Sequence, residues 1–398
     1  MAWTSYPVSS ISGVIRAPGD KSCSHRALMM AGIAEGVSIV SGLLEGADVL
    51  DTAKAMESLG AGMERQGPGR WKVTGTGARG LTSPTDVIDF GNSGTGSRLM
   101  MGLMSGYDIS VEMTGDKSLR GRPMDRVMNP LEEMGARFDH DGSRRLPLTL
   151  HGSASLKAID FTPPHASAQV KSCVLLAGLN AEGTTRVYEP RATRDHTEKM
   201  LRGFGVKLDV ADRSDGVRLV AITGGQTLQA LDTGIPGDPS SAAFLAAAAI
   251  ISGHGDVMIE NVMSNDTRDG FFQAISSMGV SVGAEDNGEA AGERLMDIQV
   301  SSSALTGKDI PEWIVPSMID EFPILAVCAA FATGVTRVTG ASELRVKESD
   351  RIKAIMGLLR VNGVEAEETE DGFIVHGCGG PPPGGGLVET HHDHRIAM

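Results

Sequence analysis

Apolar and polar positions alternate along this chain in a pattern that recurs. A helix-like stretch of mostly apolar residues ends at a glycine turn and runs into a segment rich in β-branched residues. It occurs as HRALMMAGIAEGVSIVSG from His25, SRLMMGLMSGYDISVEMTG from Ser97, SCVLLAGLNAEGTTRVYE from Ser172, AAFLAAAAIISGHGDVMIEN from Ala242 and ILAVCAAFATGVTRVTG from Ile324. Between these lies an amphipathic helix ending in a small turn: AMESLGA at Gly60, LEEMGA at Gly135, MLRGFGV at Gly205, AISSMGV at Gly279 and LLRVNGV at Gly363. Those glycines are 75, 70, 74 and 84 residues apart. Each is expected to cap its helix in the left-handed conformation, which glycine adopts cheaply, and to lead into a strand such as VKLDV or VSVGAE. The pattern predicts five units of two helices and several strands, an α/β (α+β) architecture built by repetition. HRIAM, from His394, matches the opening of a sixth apolar helix. The period would place a sixth capping glycine at about 433 to 447, so roughly 40 further residues are expected to complete a sixth unit.

A longer repeat sits above the short one. Ala17-Pro18-Gly19-Asp20-Lys21-Ser22 returns as Ile235-Pro236-Gly237-Asp238-Pro239-Ser240, each copy leading into an apolar helix. Two halves of about three units follow, with a Pro-Gly-Asp turn where one half meets the other. Lys21 and Arg26 occur only in the first copy. What the copies share is structural, so chemistry better explains where they differ.

Charge narrows the function. Lys plus Arg is 36 and Asp plus Glu is 50, so 36 − 50 = −14. That field repels polyanions and argues against a nucleic-acid or anionic-membrane binder, while leaving room for small anions where cations gather. The longest apolar run, Ala242 to Ile251, is short of a membrane span, and the first residues lack the basic start and apolar stretch of a leader. A soluble, cytoplasmic protein is expected. Cys23, Cys173, Cys328 and Cys378 are widely spaced, which argues against zinc sites and disulfide scaffolds. Cys173 and Cys328 fall in apolar helices and read as inert packing, as do Met29, Met30, Met100, Met101 and Met104.

Two motifs read as decoys. Gly75-Thr76-Gly77-Ala78-Arg79-Gly80 matches a dinucleotide fingerprint, but Leu81-Thr82-Ser83-Pro84 cannot open the required helix, so a hairpin turn is expected there. His391-His392-Asp393-His394 lacks a partner cluster for metal binding.

The cations are not scattered. Lys21 and Arg26, Arg98, Lys171, Arg194, Lys347 and Arg351, and Arg395 recur at or just before the N-termini of apolar helices, where backbone N–H groups favour phosphate and carboxylate. Small polar residues stand beside them: Ser22, Ser24, Asn92, Ser93, Gly94, Thr95, Ser167 and Gln169. Asp320, Glu321 and Glu348 lie among them, and a carboxylate surrounded by bound anions suits proton transfer. The residues alone predict a site for polyanionic small molecules between two lobes.

PGDKSCSHRA (18–27), DFGNSGTGSR (89–98), RPMDRV (122–127), ASAQVKS (166–172), EPRATRDHTEKML (189–201), PGDPSSAAF (236–244), SMIDEFPILA (317–326), ELRVKESDRI (343–352) and DHRIAM (393–398) together resemble the 5-enolpyruvylshikimate-3-phosphate synthases (3-phosphoshikimate 1-carboxyvinyltransferases) of the enolpyruvyl transferase family. The resemblance spans essentially the whole chain. It implies a two-domain fold, each domain an inside-out α/β barrel of three βαβαββ units, with the sixth unit truncated here. The implied lobes are residues 18–235, and residues 1–17 with 236–398.

The resemblance further implies transfer of the enolpyruvyl group of phosphoenolpyruvate to the 5-hydroxyl of shikimate 3-phosphate by addition and elimination, as a step of aromatic amino-acid biosynthesis. Lys21, Gly94, Thr95, Arg122, Gln169, Arg351 and Arg395 would hold phosphoenolpyruvate. Ser22, Arg26, Ser167, Ala168, Gln169, Arg194, Asp320 and Lys347 would face shikimate 3-phosphate, with Ala168 offering only backbone. Asp320, Glu348 and Lys21 would move protons. No metal and no organic cofactor is implied, nor a nucleic-acid or membrane partner, and a monomer is expected. Gly94 marks the chain as sensitive to glyphosate, since relatives with alanine there tend to resist it. Two rivals stand beside this reading: a UDP-N-acetylglucosamine enolpyruvyl transferase, which wants a reactive loop cysteine, and an inactive C-terminally truncated fragment that only binds anions.

Overall fold

The computed structural model describes residues 6, 8, 10–347, 349–391 and 393–398. The chain divides into two compact units. One takes Gly19–Pro236 with Glu289–Glu293; the other takes the chain up to Pro18, then Gly237–Gly288 and Arg294–Met398. The helices are α1 (Lys21–Ile33), α2 (Ala47–Ser58), α3 (Gly94–Ser105), α4 (Lys117–Arg120), α5 (Asp125–Met134), α6 (Ala168–Gly178), α7 (His196–Gly203), α8 (Pro239–Ile251), α9 (Gly270–Ser277), α10 (Phe322–Phe331), α11 (Arg351–Val361) and α12 (His394–Ala397).

The unit beginning at Gly19 carries three four-stranded sheets. Two of them use consecutive strands: Ile88–Asp89, Ser110–Thr114, Leu148–His151 and Arg137–Asp139 side by side, and likewise Asp160–Phe161, Thr184–Glu189, Arg218–Thr223 and Leu208–Asp212. In both, the first two strands are parallel with an apolar helix, α3 or α6, between them in sequence, and the rest are antiparallel. That is a βαβαββ unit. The remaining sheet obeys the same rule with one substitution, because its leading parallel strand, Thr233–Gly234 beside Val37–Ser41, arrives from the far end of the unit.

The other unit repeats the scheme in two sheets. Asp309–Ile310, Thr333–Val338, Phe373–Cys378 and Glu365–Glu368 follow one another around α10 and α11. In the second sheet, Ile11–Arg16 pairs in parallel with Gly255–Ser264, so the leading strand again comes from a distant part of the chain. The Pro-Gly-Asp turns anchor these deliveries: Asp20 N donates to the Pro236 carbonyl at 2.8 Å, and Asp238 N to the Pro18 carbonyl at 2.8 Å.

Local chemistry explains the joints. Gly60, Gly135, Gly205, Gly279 and Gly363 have φ between +79° and +113°, as a capping role requires. Gly102 lies where α3 meets α6, and a Cβ there would sit 2.2 Å from the Cys173 carbonyl oxygen. The five methionines read as core are fully buried. Gly75–Gly80 is not a hairpin turn: the strand before it, Arg70–Thr74, and the strand after it, Ile88–Asp89, belong to different sheets. Gly75 is required because a Cβ would sit 2.0 Å from the Ala34 carbonyl oxygen at the end of α1.

Among the described residues no single helix is long and apolar enough to cross a membrane. HRIAM does form a helical turn, α12. An apolar cleft of about 590 Å³ runs past α8, α10, α11 and α12, lined by Phe244, Ile251, Val327, Phe331, Leu358 and Ile396 among others.

Candidate active site

Each apolar helix of the unit beginning at Gly19 opens on a capped N-terminus that carries polar groups. Asp20 caps α1 by accepting from Cys23 N at 2.8 Å, which leaves Lys21 and Ser22 on the first turn. Lys21 pairs with Asp48. Arg26, one turn further, is enclosed: its guanidinium donates to Thr197 Oγ1 at 2.7 Å, Ser172 Oγ at 2.8 Å and the Ser22 carbonyl at 3.0 Å. Next to it His25, also buried, donates to or accepts from Thr52 Oγ1 through Nδ1 at 2.7 Å. Burial, helped by the Lys21 charge, lowers its pKa to about 3.

Ser93 caps α3 and Ser167 caps α6, each accepting from a first-turn backbone N–H. These caps set Gly94, Thr95, Ala168 and Gln169 on neighbouring first turns. Gln169 ties the two helices together, accepting from Arg98 NH1 at 2.7 Å and donating to Thr95 Oγ1 at 3.0 Å. Arg122 donates to Asn92 Oδ1 at 2.8 Å and lies close enough to Gly94 that a Cβ there would be 2.9 Å from its NH1. Burial, with Arg126 and Arg122 nearby, lowers the Arg98 guanidinium to about 10. The side-chain oxygens that receive Arg98 and Arg122 belong to amides and a hydroxyl. Guanidinium charge thus crowds at two helix N-termini against uncharged partners, an arrangement that an anion would relieve.

Lys171 behaves differently from Arg98 and Arg122. It is fully buried, pairs with Glu189 at 3.0 Å and Glu198 at 2.7 Å, and donates to the Thr193 carbonyl at 3.4 Å. Its work is structural, since it holds the loop that carries the half-buried Arg194. Cys23, His196 and Glu293 bring donor atoms within 4.8 Å of one another. Glu293 is already engaged there, by His196 Nδ1 at 2.7 Å and Lys199 Nζ at 2.8 Å.

The other unit carries Asp320, Lys347, Arg351 and Arg395. Asp320 follows the 3₁₀ turn Glu312–Met318 and stands one residue before Glu321, the N-cap residue of α10. It accepts from Arg351 NH1 at 3.0 Å. Arg351 opens α11, is 1% exposed, and also donates through Nε to Asp393 Oδ2 at 2.9 Å. Asp393 accepts from Ser349 Oγ at 3.0 Å and caps α12, which presents Arg395 half-buried. Lys347 pairs with Glu343. Glu348 lies outside the described residues.

Sequence reasoning passed over Asp393, considering it only in a metal context, although an acid just before Arg395 and an apolar turn signals a cap. It also passed over Thr197, Ser172 and Arg126, for which no local signal exists.

The EPSP synthase (3-phosphoshikimate 1-carboxyvinyltransferase) family model matches residues 6–398. The 3-phosphoshikimate 1-carboxyvinyltransferase of Hyphomonas neptunium is 65% identical over 398 residues, covering 100% of this chain and 91% of the relative. That of Maricaulis maris is 51% identical over 393 residues, covering 98% of this chain and 87% of the relative. The solved EPSP synthase of Acinetobacter baumannii superposes with a TM-score of 0.89 at 44% identity, covering 98% of this chain and 88% of that one. Two units built from βαβαββ sheets, helix starts that gather cations, and likeness of this extent lead to one conclusion: the chain belongs to the EPSP synthase (3-phosphoshikimate 1-carboxyvinyltransferase) family.

Proposed function

We propose that this chain moves the enolpyruvyl group of phosphoenolpyruvate onto the 5-hydroxyl of shikimate 3-phosphate, and that the two clusters described above divide the work. The 5-hydroxyl oxygen bonds to C2 of phosphoenolpyruvate while C3 takes a proton. C3 then loses a proton, the double bond re-forms and inorganic phosphate leaves. Phosphoenolpyruvate binds through Lys21, Arg122 and Gln169 with the backbone at Gly94 and Thr95, and through Arg351 and Arg395. Shikimate 3-phosphate binds through Ser22, Arg26, Ser167, Gln169, Arg194, Lys347 and the backbone of Ala168. Asp320 takes the hydroxyl proton, Glu348 serves C3, and Lys21 assists. Each substrate carries a carboxylate and a phosphate, so the carrying observation is the concentration of guanidinium groups with uncharged partners at the starts of α3 and α6.

Cys23 speaks against the UDP-sugar rival, because it is buried on the first turn of α1 rather than placed in a loop. We also propose that the enzyme works in the cytoplasm as a monomer. The test is phosphate release by the purified chain. It is expected to require both substrates, to ignore UDP-N-acetylglucosamine, and to show a raised KM for phosphoenolpyruvate in Arg122→Ala. Folded protein that releases no phosphate overturns the proposal.

A further inference from the structure

Two carboxylates stand side by side at the start of α10, and the fold treats them oppositely. Asp320 is half-buried and meets Arg351, whereas Glu321 is 1% exposed. Glu321 Oε1 accepts from Ser240 Oγ, on the first turn of α8. Ser240 Oγ in turn accepts from Arg268 NH2 at 3.1 Å, and Arg268 also donates to Asp238 Oδ1 at 2.9 Å. Glu321 Oε2 is buried with no hydrogen-bond partner. Among the described residues, the charges on the elements packed around this network include Asp238, Arg268, Asp320, Arg351, Asp393 and Arg395. Among these six described residues three cations match three carboxylates, so an ionised Glu321 would add a fourth negative charge to them in a largely buried cluster, which is costly.

We propose that Glu321 is a positioning residue that works as a neutral carboxylic acid, bridging the starts of α8 and α10 and adding no further negative charge beside Arg395 and Arg351, where an anionic substrate must bind. Desolvation pushes its pKa up, and the neighbouring Asp320 charge pushes the same way. When Glu321 ionises at alkaline pH, the added negative charge repels phosphoenolpyruvate and competes for Arg395. The effect falls on KM for that substrate more than on kcat. This inference rests on the function proposed above.

The test compares the parent with Glu321→Gln, which keeps the acceptor for Ser240 and the neutral charge. Infrared spectroscopy of the parent at neutral pH is expected to show a carboxylic-acid carbonyl band that disappears on alkaline titration and is missing in Glu321→Gln. In steady-state assays, KM for phosphoenolpyruvate in the parent is expected to rise about tenfold more than in Glu321→Gln as pH climbs through the range in which the carboxylic-acid band disappears. At neutral pH, kcat/KM of the variant is expected to stay within roughly threefold of the parent. No carboxylic-acid band in the parent, coincident pH profiles, or a loss above about 100-fold in Glu321→Gln at neutral pH would each overturn the inference. A parent that shows the band but releases no phosphate condemns the proposed reaction alone, since the band reports the charge of Glu321 without turnover.

Discussion

Lys171→Met tests whether the buried ion network under α6 is structural. The substitution keeps an unbranched apolar stem, one heavy atom shorter, and removes the ammonium that serves Glu189 at 3.0 Å and Glu198 at 2.7 Å, all three being nearly or fully buried. Removing one partner of such a group costs about 3 to 5 kcal/mol, because the remaining charges lie in low dielectric without compensation. For a unit of this size, a loss of that order lowers the melting temperature by roughly 6 to 20 °C. The pH dependence makes the test sharper. Burial raises the Glu198 pKa, with Lys171 pulling it the other way, so the folded chain holds this proton to higher pH than the unfolded chain. The stability linked to that proton is present below the ordinary carboxylate range and is lost as pH rises through the folded value. Without Lys171 the folded value climbs further, so the deficit of Lys171→Met should be larger at pH 7 than at pH 5. Adding Glu198→Gln should recover much of the loss by removing one orphaned charge. The assay is thermal denaturation of the parent and both variants at the two pH values. A deficit under about 1 kcal/mol, or one equal at both, would refute the reasoning.

Three further outcomes follow from named contacts. Gly94→Ala places a methyl 2.9 Å from Arg122 NH1, so that guanidinium must shift; KM for phosphoenolpyruvate should rise about tenfold, and the glyphosate concentration for half inhibition should rise more. Native enzyme indifferent to glyphosate at concentrations that compete with phosphoenolpyruvate would sink the underlying assignment. Asp320→Asn should lower kcat by about 10² to 10⁴ while melting within a few degrees of the parent, since Arg351 keeps Asp393; normal turnover would remove Asp320 from proton transfer. His25, held near 3 when folded, resists a proton that the unfolded chain accepts near 6.5, so stability should fall by up to about 1.4 kcal/mol per pH unit below that value. His25→Gln should flatten this acid limb in denaturant titrations, and an unchanged limb would assign it to other groups.

The parts of the fold legible in the sequence are those governed by local backbone chemistry. Capping glycines such as Gly135 announce themselves because a left-handed φ following an amphipathic helix has few other solutions. Strand delivery is governed otherwise. Thr233–Gly234 is two residues long and Ile11–Arg16 is almost wholly exposed, so neither has an apolar pattern that names its partner. Only the path of the whole chain brings each beside the strand that completes its sheet. Gly75–Gly80 suggests a hairpin in the sequence for a related reason: turn residues report that the chain bends, not which strand follows. What settles the matter is the backbone of Ala34, distant in sequence.

The site divides along the same line. Cations at helix starts are visible in sequence, because a helix N-terminus and the residue that caps it are neighbours. Their roles depend on what the fold brings to them. Lys171 looks like Arg98 until Glu189 and Glu198, from a strand and helix further along, close around it. Asp320 and Glu321 are adjacent and chemically alike, yet Asp320 lies in the turn before α10 whereas Glu321 is the residue that caps it. One therefore meets the guanidinium of Arg351 while the other meets Ser240 inside the core. Which of the pair meets Arg351 thus depends on a backbone path that composition does not record, and exchanging the pair, as Asp320→Glu with Glu321→Asp, should abolish turnover although charge and residue types are conserved.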